Sequence, residues 1–459
     1  MISVSKMSAR LTRVVSALAL MACVTSPVLA DSTAAPRIRI DFWFGNSGDV
    51  AKNVQEQCQR FNESQSEFQI ACLSQGSYVA TTQNTVAAYR VNKQPTIVQL
   101  YDVSTLDIML SDAFYPVKKL MADEGYSINW DDYLPTIASG YMTSKGELYS
   151  IPYNSSTTLL YWNKDAFKKI GRDRAPATWE EADTAFRELK AAGYQCPFAI
   201  NISADESFQL MEQFSTIHNQ PVSTKSNGYD GLGAELVVDK TLFARFVGDL
   251  KRWYDEGLLR IKSKETGQDM ASAFTSGECQ ATLISVGQHG VVGSTAPKGM
   301  NWDVALYPVY EGHKRNKSLA GGASLWVLNG KTPDEYRGAS AFLKFISSPE
   351  ETMKWSQATG YIPVTKSSID YMVGKGFYEQ PGIKGRELAI ESVEFSSPSA
   401  FTRGMRLGTL QQIRMEFSNA MQAIFSNKLS VEDGLKQLVK RGNMSLRRYE
   451  ATYKGQALP

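Results

Sequence analysis

Residues 37–44, RIRIDFWF, alternate so that Ile38, Ile40, Phe42 and Phe44 share one face, which predicts a half-buried strand. Val50, Val54, Cys58 and Phe61 then recur at helical spacing. A second strand is predicted from Phe68 to Ser74, leading through Gln75-Gly76-Ser77-Tyr78 into a helical stretch at about 79–92. The apolar run Thr96-Ile97-Val98-Gln99-Leu100-Tyr101 predicts a third strand that stops at Asp102. Strands alternating with helices predict βαβ units and a mostly parallel sheet. After residue 150 the pattern restarts: Ile151-Pro152-Tyr153-Asn154-Ser155-Ser156-Thr157 precedes an apolar strand, Leu159 to Trp162. Thr178 with Glu181 three residues on reads as a capping box, and Gly193 ends that helix, whose apolar face is Trp179, Ala182, Ala185, Phe186 and Leu189. Cys279 to Ile284 is strand-like and ends at Ser285, Gly321 to Trp326 follows, and two helical segments lie near 409–427 and 431–451. No repeat and no Pro- or Ser-rich linker interrupts the chain. The expected fold is α/β with two lobes, each a mostly parallel sheet flanked by helices, and a cleft between them. Lobe 1 takes 31–150 and 308–350; lobe 2 takes 151–307 and 351–459.

That architecture selects candidate residues. Ligands of open α/β sheets bind beyond the carboxyl ends of the strands. Gly45-Asn46-Ser47, Tyr78 and Asp102 follow the first, second and third strands. Singly, each reads as a turn polar or a helix cap; three in register point to one crevice. The Gly321-Gly322 pair is either a turn or a place where backbone N–H groups approach an anion.

Composition narrows the class. The chain has 459 residues, 43% hydrophobic and 21% charged, which is globular and long enough for two to three domains. Net charge is +2, and the first thirty residues hold Lys6, Arg10 and Arg13 with no acid, so the remainder carries 2 − 3 = −1. A basic nucleic-acid footprint is absent, and no nucleic-acid partner is expected. Residues 1–30 read as an export signal: a charged start to Arg13, an apolar run from Val14 to Val24, and the small-residue exit Ser26-Pro27-Val28-Leu29-Ala30, with cleavage after Ala30. A rival reading of Leu20-Met21-Ala22-Cys23 is a lipoprotein box that leaves a lipidated Cys23. No later stretch reaches the ~18 apolar residues that span a bilayer, so an exported, soluble, periplasmic protein is expected. Four cysteines follow the signal, Cys58, Cys72, Cys196 and Cys279, and three connectivities are open to them. Cys58–Cys72 and Cys196–Cys279 are favoured because each pair stays within one lobe; free buried thiols are the alternative.

Enzyme motifs fail in turn: no GxSxG elbow, HExxH, Walker loop or strand-following GxGxxG is present. The three histidines, His218, His289 and His313, are too sparse for a metal cluster and read as surface or packing residues. No cofactor, no metal and no catalysis are expected.

The stretches TWEEADTAF, YWNKDAFKKIG, FTSGECQATL and GGASLWVL resemble the extracellular solute-binding proteins of bacterial ABC importers, the maltose-binding-like group. PYNSST at 152–157, GGASLW at 321–326, TGYIPVTK at 359–366 and FTRGMRLGTLQQIR at 401–414 are more specific, and resemble the glycerol-3-phosphate-binding subgroup. The resemblance covers 37–452 and implies a monomer that captures sn-glycerol-3-phosphate, or glycerophosphodiesters, for a membrane permease with its ATPase. Carried over residue by residue, the family's ligand contacts fall on Tyr78, Asp102, Ser156, Ser285, Gly322, Tyr361 and Arg414. The resemblance implies that hydroxyls, backbone N–H and the arginine hold phosphate while the acid takes the glycerol hydroxyls, chemistry that suits a bidentate guanidinium. Arg414 lies at the edge of an apolar helix face, Leu410, Ile413, Phe417, Met421 and Ile424, and its charge is expected to have no partner until phosphate arrives. Two departures stand out. Asp102 replaces the family's Glu, and Asn201 to Phe208 replaces a stretch with two tryptophans, so Phe208 is the one aromatic left to cover the glycerol. The alternatives are a sugar or oligosaccharide binder of the same fold, with Trp43, Trp162 and Trp326 as platforms, and a secreted hydrolase.

Overall fold

The computed structural model describes residues 36–143, 145–263, 267–380, 382–383 and 385–454; the export signal, its cleavage point and Cys23 lie outside them. Eleven strands form two sheets among the described residues. β1 (Ile38–Phe44), β2 (Phe68–Ser74) and β3 (Ile97–Tyr101) belong to the first with β4 (Phe114–Tyr115), β5 (Ile151–Ser156) and β11 (Gly321–Leu328), in the order β2-β1-β3-β11-β4, with β5 also on β11. The second holds β6 (Thr158–Asn163), β7 (Cys196–Ile200), β8 (Leu259–Ile261), β9 (Cys279–Ser285) and β10 (Trp302–Ala305), in the order β10-β6-β9-β7-β8.

Each sheet has a parallel core, β2-β1-β3 and β8-β7-β9, because its strands are joined by crossover helices. Strands that arrive from the other sheet, β11 and β6, pair antiparallel. The alternation of β1 buries Ile40, Phe42 and Phe44 completely, and Val54, Cys58 and Phe61 of the helix Gly48–Ser64 cover them. Around the second sheet, Trp179, Phe186, Phe198, Phe246 and Trp253 form one aromatic cluster, each ring about 1.5–3 kcal/mol better buried than exposed. All five apolar residues assigned to the helix Trp179–Ala191 are buried. Its cap differs from expectation: the Thr178 side chain accepts from the Glu181 amide, but the Glu181 carboxylate turns to the Ala177 amide and Arg174 rather than back to Thr178.

The chain leaves the first sheet at Thr157 rather than at 150, because Ser156 still pairs with Gly321 in one sheet while Thr158 already pairs with Ser285 in the other. Thr157 is tied down at this crossing. Its hydroxyl donates to the Leu319 carbonyl (2.9 Å) and accepts from Gln213 (2.6 Å), and Gln213 in turn accepts from the Leu319 amide (2.7 Å). The return comes later than 308, since Tyr307 and Tyr310 pack into the second-sheet cluster. The helix Pro349–Thr359 was expected to pass to lobe 2 at 351, yet it lies against the helix Gly48–Ser64: Arg60 pairs with Glu351 at 2.8 Å, and Trp355 stacks on Tyr153. Cys58–Cys72 links the helix Gly48–Ser64 to β2, and Cys196–Cys279 links paired residues of β7 and β9.

Candidate functional site

The carboxyl end of β3 is the centre of the site. Its last residue, Tyr101, stacks on Tyr78 at the start of the helix Tyr78–Tyr89, with ring centroids 4.8 Å apart and planes 13° from parallel. The Tyr78 hydroxyl accepts from the side-chain amides of Asn46 (3.1 Å) and Asn154 (2.7 Å). Gln99, buried on β3, orients both: its amide donates to the two Asn carbonyl oxygens at 2.8 Å each, and its own carbonyl accepts from the Gly45 amide. With its lone pairs engaged, the phenol has its O–H left as a donor, with the Tyr361 hydroxyl as a neighbour. Tyr361 shares the same amides and the Tyr78 hydroxyl as neighbours, and burial pushes both phenols above their ordinary range, so they stay neutral donors. Ser285, half-buried at the end of β9, accepts from the Gly287 amide at 3.2 Å, and Ser156 ends β5.

Asp102 opens the turn after β3. One carboxylate oxygen accepts from the Gly322 amide at 3.0 Å; the other is buried without a hydrogen bond among the described residues. Burial raises its pKa to about 6, against the pull of Arg414, and the Glu212 charge adds to the rise. Gly322 has φ +136°, and a Cβ there would come within 1.9 Å of the Asn154 carbonyl, so no other residue fits. Phe208 lies on Gly321 beside Asp102, where a Cβ on Gly321 would be 2.4 Å from the ring.

Arg414 corrects the expectation made for it. It is 2% exposed, and Nε and Nη2 donate to the two oxygens of Glu212 at 2.6 and 2.7 Å. Nη1 donates to the Tyr101 hydroxyl at 2.9 Å, a contact from the helix Leu410–Phe425 to the end of β3. The charge therefore has a partner already. A buried guanidinium needs one, since an isolated ion in a weakly polar interior costs several kcal/mol. Three of the five guanidinium N–H groups are engaged, and two remain.

The structure thus brings all eight predicted residues to the region where the two sheets meet. They form a neutral side of Tyr78, Tyr361, Ser156 and Ser285 and a charged side of Asp102, Gly322, Phe208 and Arg414. It adds Gln99, Asn154, Tyr101 and Glu212. Asn154 sits inside the PYNSST motif but was not singled out. Glu212 had a signal, a lone acid among Leu210, Met211 and Phe214, which must find a cation when that stretch is buried. Ahead of Phe208, exposed Asp205 and half-buried Glu206 stand near where the resembling family has an aromatic; Gln209 donates to Glu206, whose pKa burial and Asp205 raise.

A family profile described as bacterial extracellular solute-binding protein matches residues 56–384. A protein of Yersinia pseudotuberculosis serotype I (strain IP32953), named sn-glycerol-3-phosphate-binding periplasmic protein UgpB, is 34% identical over 440 residues, 94% of this chain and 98% of its own. The protein of the same name from Escherichia coli O1:K1 is 33% identical over 421 residues, 90% of this chain and 94% of its own. Among solved structures, UgpB from Mycobacterium tuberculosis in complex with glycerophosphocholine superposes with a TM-score of 0.75 at 21% identity, covering 90% of this chain and 99% of that one. The sugar-binding protein MalE from Xanthomonas citri gives 0.71 at 17%, covering 91% and 100%. These two likenesses speak to the fold.

Proposed function

The chain belongs to the bacterial extracellular solute-binding proteins, and on that premise we propose that it captures sn-glycerol-3-phosphate and its glycerophosphodiesters in the periplasm for an ABC importer. The observation that carries this reading is the meeting of donors and acceptor at one seam. Two unengaged N–H groups of Arg414 and the neutral Tyr78 hydroxyl suit phosphate oxygens, and the unpartnered oxygen of Asp102 suits a glycerol hydroxyl. Ser156, Ser285, Tyr361 and the Gly322 amide complete the phosphate set, with phosphate replacing Asp102 at that amide. Phe208 covers the glycerol. The lobes are the two sheets with their helices, pivoting at Thr157, and ligand contacts from both shift the population toward a closed form that the permease and its ATPase recognise. The protein acts as a monomer, without catalysis, after removal of residues 1–30. A sugar-binding reading is the weaker one: of its three candidate platforms Trp162 and Trp326 are core residues, 5% and 1% exposed, which leaves the half-buried Trp43 alone.

Calorimetric titration with sn-glycerol-3-phosphate, glycerophosphocholine, glycerol and maltose tests this. The phosphate compounds should bind and the others should not. Ligand at ~100 times its dissociation constant should stabilise the protein by ~2.7 kcal/mol. Binding of maltose, or of none of the four, would overturn the reading.

A further inference from the structure

Resting on that reading, we infer that the site continues past Asp102 into a head-group subsite, where Arg403 takes a carboxylate carried by the second alcohol of the phosphodiester. Asp102 and Ala320 border a cavity of about 50 Å³, several times the ~10–15 Å³ that one water needs. Thr105 and Thr136 line it from one lobe; Glu212, Tyr229 and the segment from Arg403 to Leu407 line it from the other. Two atoms of this wall are buried without a hydrogen bond among the described residues: an acceptor, Asp102 Oδ1, and a donor, Arg403 Nε. The Arg403 guanidinium rests on the Tyr229 ring, 3.9 Å from its centre. Its backbone is held in place. The Tyr229 hydroxyl donates to the Arg403 carbonyl and the Arg406 amide to the Asn227 carbonyl, both at 2.9 Å, and a Cβ on Gly228 would lie 2.3 Å from the Arg406 carbonyl.

The charges of the wall decide which group fits. Glu212 is bonded through both oxygens to Arg414, so that acid and that guanidinium balance each other. Arg403 and Arg406 then outweigh Asp102, two charges to one, because lying over Tyr229 leaves both guanidiniums charged. Arg406 also donates to the Met142 carbonyl. Lys317, buried behind Thr136 and donating to its hydroxyl at 2.5 Å, adds positive charge that Glu394 offsets in part. A quaternary ammonium would find the aromatic face already taken by guanidiniums, at 3.9 and 4.7 Å, and would be repelled by them. A carboxylate meets a planar donor fork that suits it, and an ammonium on the same carbon has the lone pairs of Asp102 beside it. The phosphate stays with the groups already described, so the subsite discriminates between head groups and leaves the common part of the ligand untouched.

The test uses the full chain and two ligands that differ by one carboxylate, glycerophosphoserine and glycerophosphoethanolamine, with sn-glycerol-3-phosphate as the reference. In calorimetric titration at pH 7.5, glycerophosphoserine should bind about tenfold or more tighter than glycerophosphoethanolamine. Arg403→Met keeps an apolar stem on Tyr229 and should erase that gap, with the other two ligands changed by less than about threefold. Arg403→Lys, charged but without the planar fork, should restore part of the gap. If Arg403→Met does not fold, the parent's two affinities and those of Arg403→Lys decide. Equal binding of the two diesters by the parent overturns the inference, and so does a loss under Arg403→Met that is the same for all three ligands; the proposed function survives either result. Binding of none of the three would remove both.

Discussion

The two sides of the cleft hold the same kind of group by opposite means. On the Tyr78 side everything is neutral. Gln99 satisfies Asn46 and Asn154, these satisfy the phenol, and the empty site carries no buried charge that needs a partner. On the Arg414 side a charge is buried in advance and balanced by the chain's own acid. A neutral network can lose a member at the cost of one or two hydrogen bonds. A buried ion pair cannot lose one partner without stranding the other. Affinity and stability should therefore be separable at Tyr78 and entangled at Arg414.

The largest effect should come from cutting the pair. Arg414→Ala leaves Glu212 as a buried, unpaired carboxylate and should lower the unfolding free energy by about 3–5 kcal/mol, read from the urea midpoint of the ligand-free protein. Replacing both, Arg414→Met with Glu212→Leu, should recover most of that stability and no binding. A single variant as stable as the parent would mean the pair is not closed in solution.

Next comes Asp102. Its pKa is raised to about 6 from 3.8, so the unfolded chain gives up this proton first and the group disfavours folding increasingly as pH rises from about 4 through about 6. Its contribution is most favourable below the unfolded value and is lost above the folded one, at a cost of up to about 3 kcal/mol. Asp102→Asn should remove this slope. Melting temperatures of parent and variant between pH 4 and 7.5 should diverge, with the variant the more stable at pH 7.5 and the weaker binder. Parallel curves would return Asp102 to a simple turn residue.

On the neutral side the changes are smaller. Tyr78→Phe deletes the offered O–H and leaves two amides without their acceptor, which should cost about 1–3 kcal/mol of binding. Its ring and the stack on Tyr101 persist, so melting should shift by only a few degrees. A loss of stability as large as that of Arg414→Ala would erase the contrast. Ser285→Ala removes one half-buried hydroxyl and its bond to the Gly287 amide, and should weaken binding by about 0.5–1.5 kcal/mol while lowering the unfolding free energy by no more than about 1 kcal/mol.

Much of this was legible because the residues concerned announce themselves locally. The alternation of β1 and the apolar faces of Trp179–Ala191 and Leu410–Phe425 follow from burying one side of an element, and each buried set matches the pattern. Tyr78 and Asp102 follow the second and third strands in the sequence, and in the fold they open the helix Tyr78–Tyr89 and the turn after β3. Where the pattern failed, the controlling partner was remote. β5, IPYNSS, is buried at all six positions although its second half is polar, because β11, 165 residues beyond Ser156 at Gly321, pairs along it. Nothing alternates there to be read. Thr157 has no glycine or proline to mark a crossing; its hydrogen bonds to Gln213 and Leu319 do that work. Glu212 and Arg414 are 202 residues apart, so each alone reads as an odd charge in an apolar stretch.

The one-residue crossing at Thr157 brings the ends of the two sheets side by side. Ser156 and Thr158 sit one residue to either side of it, about 3.8 Å away along the chain, and Ser285 is paired with Thr158. Tyr78 reaches the same place through Asn154, three residues before the crossing, whose amide donates to its hydroxyl at 2.7 Å, and Arg414 follows through Tyr101, which stacks on Tyr78. The place where a single residue of chain separates the two sheets is thus also where each sheet sets down a hydroxyl, Ser156 from one and Ser285 from the other.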